Sequence, residues 1–137
     1  MAASIEKATA ISLDRMRTQI EEYYTDNYII VSRNGCHNWR GHFTGNYVSK
    51  KFKMIDRYTH KEKNLKIQVH IVVCFLKYRR VPIKGQIDCS HLCHNNNCLN
   101  PEHLSLEPRV INHKRKQCKK QRTCTHHGDA FADCIFN

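Results

Sequence analysis

The amino-acid sequence predicts a small α+β domain in which bound metal ions replace part of a hydrophobic core. Its 137 residues are enough for one domain with a modest core. Two segments alternate between apolar and polar residues, as strands do, and others have the periodicity of helices. Eight cysteines and ten histidines far exceed ordinary usage. The chain has no repeat, low-complexity tract or linker, so we expect a single domain over residues 1–137.

Residues 1–35 are expected to form a helix and then a strand. The helix includes the segment LDRMRTQIEEYY, with Ser12 as its expected N-cap. Its apolar positions share one helical face: Leu13, Met16, Ile20 and Tyr23 or Tyr24. YIIVS, residues 28–32, has the composition of a strand, and Asn34–Gly35 is a turn signal that ends it.

Residues 36–85 begin with Cys36 and are expected to form an antiparallel ribbon and a buried helix over 69–79 that contains Cys74. The alternation in residues 46–55 and 64–70 makes one face of the ribbon apolar: Val48, Phe52, Met54, Leu65, Ile67 and Val69. The other face carries side chains that hydrogen-bond base edges and phosphates: Lys51, Lys53, Asn64, Lys66 and Gln68. Such a ribbon fits the major groove of DNA, although an ordinary polar sheet face has the same pattern.

The formal charge of +11 is concentrated in two stretches. Residues 47–84 carry eleven lysines and arginines against two acids, and residues 109–122 carry seven against none. Basic stretches on both sides of a cysteine-rich centre indicate that a polyanion lies across the molecule, although lysines also serve solubility alone. Neither stretch has a long apolar helical face, which argues against binding to a membrane surface.

The pattern of cysteine usage favours zinc over disulfides. The chain has no leader-like segment, and its longest apolar run, from Val69 to Leu76, is too short for a bilayer. We therefore expect a nuclear or cytoplasmic protein, in which thiols stay reduced. Cysteines clustered with histidines are typical of zinc sites there, whereas four disulfides would require a secreted protein.

Two sets of three cysteines and one histidine are predicted to bind zinc. In the first set, Cys93, Cys98 and His103 follow one another at intervals of five residues, and Cys36 is the best fourth ligand. That ligand would staple the N-terminal sheet to the later loop. The second set is Cys118, Cys124, His126 and Cys134, with His127 as the alternative to His126. Cys74 and Cys89 are left over and are expected in or near the core.

One histidine and one asparagine are not needed for these sets. His91 precedes Cys93 by two residues, so the metal loop fixes its backbone. Asn112 comes 21 residues after His91, in a segment that begins with Pro108 and favours a helix. A strand–loop–strand that carries His91, followed by a helix that carries Asn112, would bring a base close to a metal-binding amide. A lone histidine is more often structural, so His91 by itself is a weak signal.

The stretch SHLCHNNNCLNPEHL, followed by Asn112, resembles the His-Cys box of intron-encoded homing endonucleases of the I-PpoI type, which are ββα-metal (His-Me finger) nucleases. The similarity runs without a gap from Ser90 to Cys118, and Cys124 and His126 extend it. The segment NGCHNW, residues 34–39, resembles the family's approach to its first zinc cysteine. The resemblance implies a ββα-metal motif over residues 86–117 and a second zinc module over 118–137.

The resemblance also implies a reaction: Mg²⁺-dependent hydrolysis of duplex DNA to 5′-phosphate and 3′-hydroxyl ends. His91 would be the general base, and Asn112 would be the protein ligand of a single catalytic Mg²⁺, which Mn²⁺ can replace. The family places an arginine on the scissile phosphate, for which Arg57 is the first candidate and Lys53 the second. The two zinc ions would be structural.

The oligomeric state and the catalytic function are both left open. Relatives of this type continue beyond the second zinc site with a tail that embraces a partner subunit, whereas this sequence stops three residues after Cys134. The expectation of a homodimer is therefore weaker than that of DNA binding. The competing hypothesis for function is a non-catalytic, zinc-stabilised DNA-binding module on the same scaffold.

Overall fold

In a computed structural model that describes residues 2–25, 27–41 and 46–136, the chain forms three α-helices and three two-stranded antiparallel sheets. Helix α1 spans Ala10–Glu21 and follows a 3₁₀ helix over Ala2–Lys7. Its N-cap is Thr9, whose side chain accepts a hydrogen bond from the Ser12 amide at 3.2 Å. The prediction that Ser12 caps the helix is therefore wrong: Ser12 is buried, and its hydroxyl accepts a hydrogen bond from the Ile55 amide at 2.8 Å.

The predicted face of α1 packs on the core, and the strand predicted after it is present. Met16 and Ile20 are buried, and Tyr23 rather than Tyr24 packs against the core. Strand β1 (Ile29–Val31) pairs with β2 (His37–Trp39). The turn between them contains Gly35 at φ +86°, a left-handed conformation that favours glycine.

The ribbon consists of β3 (Ser49–Ile55) and β4 (Glu62–Gln68), and its alternation is as predicted. Ser49 pairs with Gln68 at one end, and Ile55 pairs with Glu62 at the other. The inner face is buried at every predicted position of the two strands: Phe52, Met54, Leu65 and Ile67. The outer face carries the predicted polar side chains.

Helix α2 (Val69–Tyr78) follows β4 directly and lies in the centre of the fold. Val69 is therefore the first residue of this helix and not the last inward residue of the ribbon. Val72 and Cys74 are fully buried, as expected for a core helix. The helix ends at Arg79, which has a left-handed φ of 58°, three residues before Pro82.

The last part of the fold is a strand–loop–strand followed by a helix. Strand β5 (Ile87–His91) pairs with β6 (Leu104–Pro108), and α3 (Arg109–Gln121) begins directly after β6. A short 3₁₀ turn over Pro101–His103 ends the intervening loop. The predicted ββα arrangement and the α+β class are thus confirmed. None of the described helices is long and apolar enough to cross a membrane.

Candidate active site and metal centres

The first cysteine–histidine cluster has the geometry of a zinc site. The donor atoms of Cys36, Cys93, Cys98 and His103 all lie within 4.8 Å of one another. His103 Nδ1 lies 3.5 Å from Cys36 Sγ and 3.6 Å from Cys98 Sγ. Zinc bonds of about 2.3 Å to sulfur and about 2.0–2.1 Å to nitrogen place such ligands about 3.6 Å apart in a tetrahedron. The four residues therefore fit one zinc ion.

Hydrogen bonds fasten the loop of this cluster to the N-terminal sheet. Asn100 Nδ2 donates to the Gly35 carbonyl at 2.8 Å. The Leu99 amide donates to the His37 carbonyl at 2.9 Å, and the Trp39 amide donates to the Asn97 carbonyl at 3.0 Å. The β1–β2 sheet and the loop after β5 thus form one unit around the donor atoms of the first cluster.

One sulfur atom of the first cluster, that of Cys98, favours the ionised form that zinc requires. The Cys93 thiol donates to the Cys98 sulfur, which lowers the pKa of Cys98 to about 5 despite the opposing effect of burial. The same hydrogen bond, together with burial, raises the pKa of Cys93. A thiolate is therefore present in the cluster near neutral pH, and zinc binds thiolates.

The second cluster consists of Cys118, Cys124, His127 and Cys134, whose donor atoms also lie within 4.8 Å of one another. His127 Nε2 lies 3.6 Å from Cys118 Sγ and 3.5 Å from Cys134 Sγ, which again matches the edges of a zinc tetrahedron. Two clusters thus fit two zinc ions.

The choice of His126 as the histidine of this set is wrong. His126 has a left-handed φ of 63°, and its exposed ring makes a 2.8 Å hydrogen bond from Nδ1 to Asp133. The backbone turns at that residue, so the next side chain, that of His127, is the one directed at the sulfur atoms and buried. Because the two histidines are adjacent, their spacing from the cysteines could not show which of them is the ligand.

A buried ion pair connects the second cluster to the ββα motif. Arg115 donates from Nε and Nη2 to the two carboxylate oxygens of Glu107, at 2.6 and 2.9 Å. Its Nη1 also lies 3.4 Å from Cys134 Sγ, and Nη2 donates to the Ala132 carbonyl at 2.8 Å. Nothing in the sequence singled out Arg115 within its basic stretch. In the fold it holds β6, α3 and the C-terminal loop together.

His91 lies at the end of β5, and a ligand of the first cluster orients it. Its Nε2 lies 3.1 Å from the Cys98 carbonyl. A carbonyl can only accept, so Nε2 carries the proton and Nδ1 keeps its lone pair. Burial lowers the pKa of His91 to about 4, although the Cys98 carbonyl opposes that shift. The imidazole is therefore neutral at pH 7.

The His91 ring packs against a second buried histidine that sequence reasoning missed as part of the site. The ring centroids of His70 and His91 are 4.9 Å apart, and Tyr47 stacks on His70 at the same distance. Burial, followed by the nearby His91, lowers the pKa of His70 to about 3. The one available signal was a single histidine within the apolar run of α2.

Asn112 lies in the first turn of α3 and borders the same pocket as His91. This pocket has a volume of about 330 Å³, and its other polar lining residues include Ser90, Lys116 and Lys119. A second pocket of about 390 Å³ lies beside Asn112 and is lined by His70, Asp88, Arg109 and His113, among others. The structure therefore brings His91 and Asn112, predicted as a pair, to one cavity.

Asp88 is a further residue at this site that sequence reasoning missed. Its Oδ2 accepts a hydrogen bond from Asn112 Nδ2 at 3.0 Å, and its Oδ1 accepts one from Arg109 Nη2 at 3.1 Å. Burial raises the pKa of Asp88, but the hydrogen bonds from Arg109 and Asn112 outweigh that effect and hold the pKa below its ordinary value. Asp88 is therefore a carboxylate at neutral pH.

The structure does not bring Arg57 to this pocket. Arg57 lies in the turn between β3 and β4, where its guanidinium donates to the Tyr58 hydroxyl at 2.9 Å. The pocket lies near the opposite end of the ribbon, where Ser49 pairs with Gln68. From Ser49 to Ile55 the strand extends about 20 Å at 3.3 Å per residue, and Arg57 lies two residues beyond its end. Lys53, the second candidate, is exposed and lines neither pocket.

The predicted DNA-binding residues occupy one side of the ribbon. Lys51 pairs with Lys66 across the two strands, and Lys53 pairs with Asn64. All four are exposed, and Gln68 is half-buried beside the second pocket. This face presents three cations to solvent on the side opposite the core.

Comparison with known proteins gives one family match. Residues 36–135 match the family model described as the zinc-binding loop region of homing endonuclease. The matched region starts at Cys36, the first donor of the first cluster, and ends one residue after Cys134, the last donor of the second. No curated protein and no solved structure matches the chain significantly.

Proposed function

The chain belongs to the homing endonuclease family that is defined by this zinc-binding loop, and on that premise we propose that it is a metal-dependent DNA endonuclease of the I-PpoI type. It hydrolyses phosphodiester bonds of duplex DNA and leaves 5′-phosphate and 3′-hydroxyl ends. The observation that carries this proposal is the placement of His91 and Asn112 on one pocket, with His91 aimed by the carbonyl of a zinc-cluster residue.

His91 acts as the general base in this proposal. Nε2 of the neutral ring is hydrogen-bonded to the Cys98 carbonyl, and Nδ1, which has no hydrogen bond to any residue that the structure describes, takes a proton from water. A neighbouring phosphate stabilises the imidazolium that forms, which offsets the low pKa that burial gives the free protein. The contact with the His70 ring restricts the movement of the imidazole.

Asn112 would hold the catalytic Mg²⁺ through its amide oxygen, a ligand type that fits this ion. No residue that the structure describes donates a hydrogen bond to Asn112 Oδ1, and the amide nitrogen donates to Asp88. Mg²⁺ retains most of its waters and takes few protein ligands, so one amide oxygen and the phosphate oxygens suffice. When bound, the ion stabilises the negative charge that develops on the leaving 3′-oxygen.

A lysine on α3 replaces Arg57 as the cation at the scissile phosphate. Lys116 lies one helical turn after Asn112 and therefore on the same face of the helix. It lines both pockets beside Asn112, and Lys119 lines the pocket of His91. The ribbon face with Lys51, Lys53 and Lys66 then contacts the DNA at a distance from the bond that is cut.

The whole chain is proposed to act as one endonuclease domain in a nuclear or cytoplasmic compartment. Its parts are the helix and first strand over 1–35, the ribbon and core helix over 36–85, the ββα motif over 86–117 and the second zinc module over 118–137. A homodimer would place two such pockets on opposite strands and cut both, whereas a monomer would nick one.

The experiment that tests this function is cleavage of a randomised duplex library by zinc-loaded protein, with sequencing of the ends. We expect cleavage with Mg²⁺ or Mn²⁺, and 5′-phosphate ends. His91→Ala should abolish cleavage while two zinc ions per chain and DNA binding persist. Protein that binds DNA but cuts no sequence with either ion would show that the chain is a non-catalytic DNA-binding module.

A further inference from the structure

The amide of Asn112 is held by a carboxylate that is itself held by an arginine. Asn112 Nδ2 donates to Asp88 Oδ2 at 3.0 Å. On the other side of that carboxylate, Arg109 Nη2 donates to Oδ1 at 3.1 Å, and Arg109 Nε lies 3.3 and 3.4 Å from the two oxygens. The Asp88 side chain is 18% exposed, whereas that of Arg109 is 45% exposed. The three side chains form a chain of contacts from the surface to the pocket.

A carboxylate at this position decides which way the Asn112 amide faces. An ionised carboxylate can only accept hydrogen bonds, so the atom of Asn112 that faces it must be the amide nitrogen. The amide oxygen then lies on the opposite side. An asparagine in place of Asp88 would not impose this choice, because an amide both donates and accepts.

The two pockets show what lies on that opposite side. Asp88 and Arg109 line the pocket of about 390 Å³ and His91 does not. His91 lines the pocket of about 330 Å³, and Asp88 does not. Asn112 borders both pockets. Its nitrogen is bonded to Asp88, which lines only the larger of these pockets, so the amide oxygen is left for the side on which His91 lies.

We propose that Asp88, held by Arg109, is a positioning residue that turns the Asn112 amide oxygen towards the His91 pocket, where the catalytic divalent cation binds. This inference rests on the proposed function. Asp88 does not take the cation itself, because its two oxygens are engaged by Arg109 and Asn112. Partners that orient a metal ligand typically change metal affinity about 10- to 100-fold when they are removed.

Binding of Mn²⁺ tests this proposal without any cleavage reaction. The probe is MnCl₂ titrated into zinc-loaded protein at low ionic strength, with the relaxation of water protons as the readout of bound ion. We expect Asn112→Ala to abolish the site and Asp88→Ala to weaken Mn²⁺ binding by about 10-fold or more. Asp14→Ala, which removes an exposed carboxylate from α1, is the matched control and should leave Mn²⁺ affinity unchanged.

Arg109→Gln separates positioning from simple attraction between charges. If Asp88 acts by orienting Asn112, loss of Arg109 loosens the carboxylate and weakens Mn²⁺ binding. If Asp88 acts only through its negative charge, loss of the neighbouring cation strengthens Mn²⁺ binding instead. Tighter binding by Arg109→Gln would therefore overturn the proposal. This variant also keeps the test valid if Asp88→Ala does not fold.

The remaining outcomes distinguish this proposal from the function on which it rests. Mn²⁺ binding that survives in Asn112→Ala would refute the assignment of Asn112 as the metal ligand. Binding that is lost in Asn112→Ala but changes less than twofold in Asp88→Ala would refute the positioning role alone. In cleavage assays, Asp88→Ala should require about 10-fold more Mg²⁺ for half-maximal rate, and saturating Mg²⁺ should restore part of that rate.

Discussion

The two cysteine–histidine clusters offer the same donor atoms, three sulfurs and one nitrogen, but they connect different parts of the chain. The first joins residues 67 positions apart, from the turn after β1 to the end of the loop before β6. The second lies within residues 118–134, at the end of α3 and the loop that follows. The first cluster therefore links segments that are distant in the sequence, and the second links α3 to the loop that follows it.

The clusters also differ in how they reach the candidate active site. In the first, the carbonyl of Cys98 directly orients the His91 ring. In the second, Cys118 lies in α3 itself, and Cys134 contacts the ββα motif through Arg115, which is ion-paired with Glu107. We conclude that donor chemistry alone does not define the role of a structural metal site. The first cluster orients the His91 ring, and the second supports the helix that carries Asn112.

The largest effect is expected from removing a donor of the first cluster. Cys36→Ser should reduce the zinc content from two ions to one and abolish cleavage, because His91 loses its fixed neighbour. Metal analysis, thermal unfolding and cleavage measure these effects. Cys74→Ala is the control, since Cys74 is buried but belongs to neither cluster. Cys36→Ser that still cuts DNA would contradict the role given to the first cluster.

The next largest effect is expected from breaking the ion pair of Arg115 with Glu107 beside the second cluster. Arg115→Met leaves the buried carboxylate of Glu107 without a partner, which should cost about 3–5 kcal/mol of unfolding free energy. Urea denaturation measures this loss. Lys120→Met, at an exposed position of the same helix, should change stability by less than about 0.5 kcal/mol. Equal effects of the two substitutions would show that Arg115 does not brace the helix.

The second cluster can be tested by exchanging its neighbouring histidines. His127→Ala should reduce the zinc content to one ion, with loss of order confined to the region after α3, because the first cluster does not depend on it. His126→Ala should retain two zinc ions, since its ring bonds to Asp133 instead. Zinc analysis of both variants, with amide hydrogen exchange, decides the assignment. The reverse pattern would contradict the structure.

The buried histidine pair beside the first cluster gives a smaller, pH-dependent effect. Burial lowers the pKa of His70 from 6.5 to about 3, so between these pH values His70 is protonated in the unfolded chain and neutral in the folded chain. Its stabilising contribution is complete above pH 6.5 and is lost as pH falls towards 3. Between pH 6 and 4, wild type should lose up to about 1.4 kcal/mol per pH unit more than His70→Gln. Protonation of zinc ligands affects both proteins equally, and equal slopes would contradict the burial of a neutral His70.

The smallest effect is expected far from both clusters, on the ribbon. Lys51→Gln should lower the slope of log Kobs for DNA against log salt by about 0.9, the value for one phosphate contact. Lys50→Gln is the matched control because Lys50 lies over the Trp39 ring, 5.0 Å from its centroid, on the other face. If Lys50→Gln lowered the slope as much as Lys51→Gln, DNA would not bind specifically through the ribbon face that carries Lys51.

The sequence predicted those features that depend on residues near one another in the chain. Alternation placed Phe52 and Leu65 inward and Lys51 outward, and five-residue spacing grouped Cys93, Cys98 and His103. These patterns follow from strand geometry and from the reach of one metal ion. Ser12 was misplaced because Thr9, which lies three residues earlier, has an equally suitable hydroxyl and carries out the capping.

Features that depend on distant residues were not predictable in the same way. Arg57 was selected because the resemblance implies an arginine from the ribbon at the scissile phosphate, but its place along the ribbon follows from the pairing of Ile55 with Glu62 at the far end. The contact of Asp88 with Asn112 joins residues 24 positions apart through the pairing of β5 with β6. His70 meets His91 only because α2 packs against β5. The periodicity of one segment predicts which of its faces is buried, but it does not predict contacts between side chains of different elements.

The 67 positions between Cys36 and His103 also order events during synthesis of the chain. At roughly 5–20 residues per second, His103 is added roughly 3–13 s after Cys36. Both strands of the ribbon lie inside this interval and can pair before the last donor exists. The lysine-rich ribbon can therefore form before Cys98 and His103 are added, which orient the His91 ring and complete the first cluster.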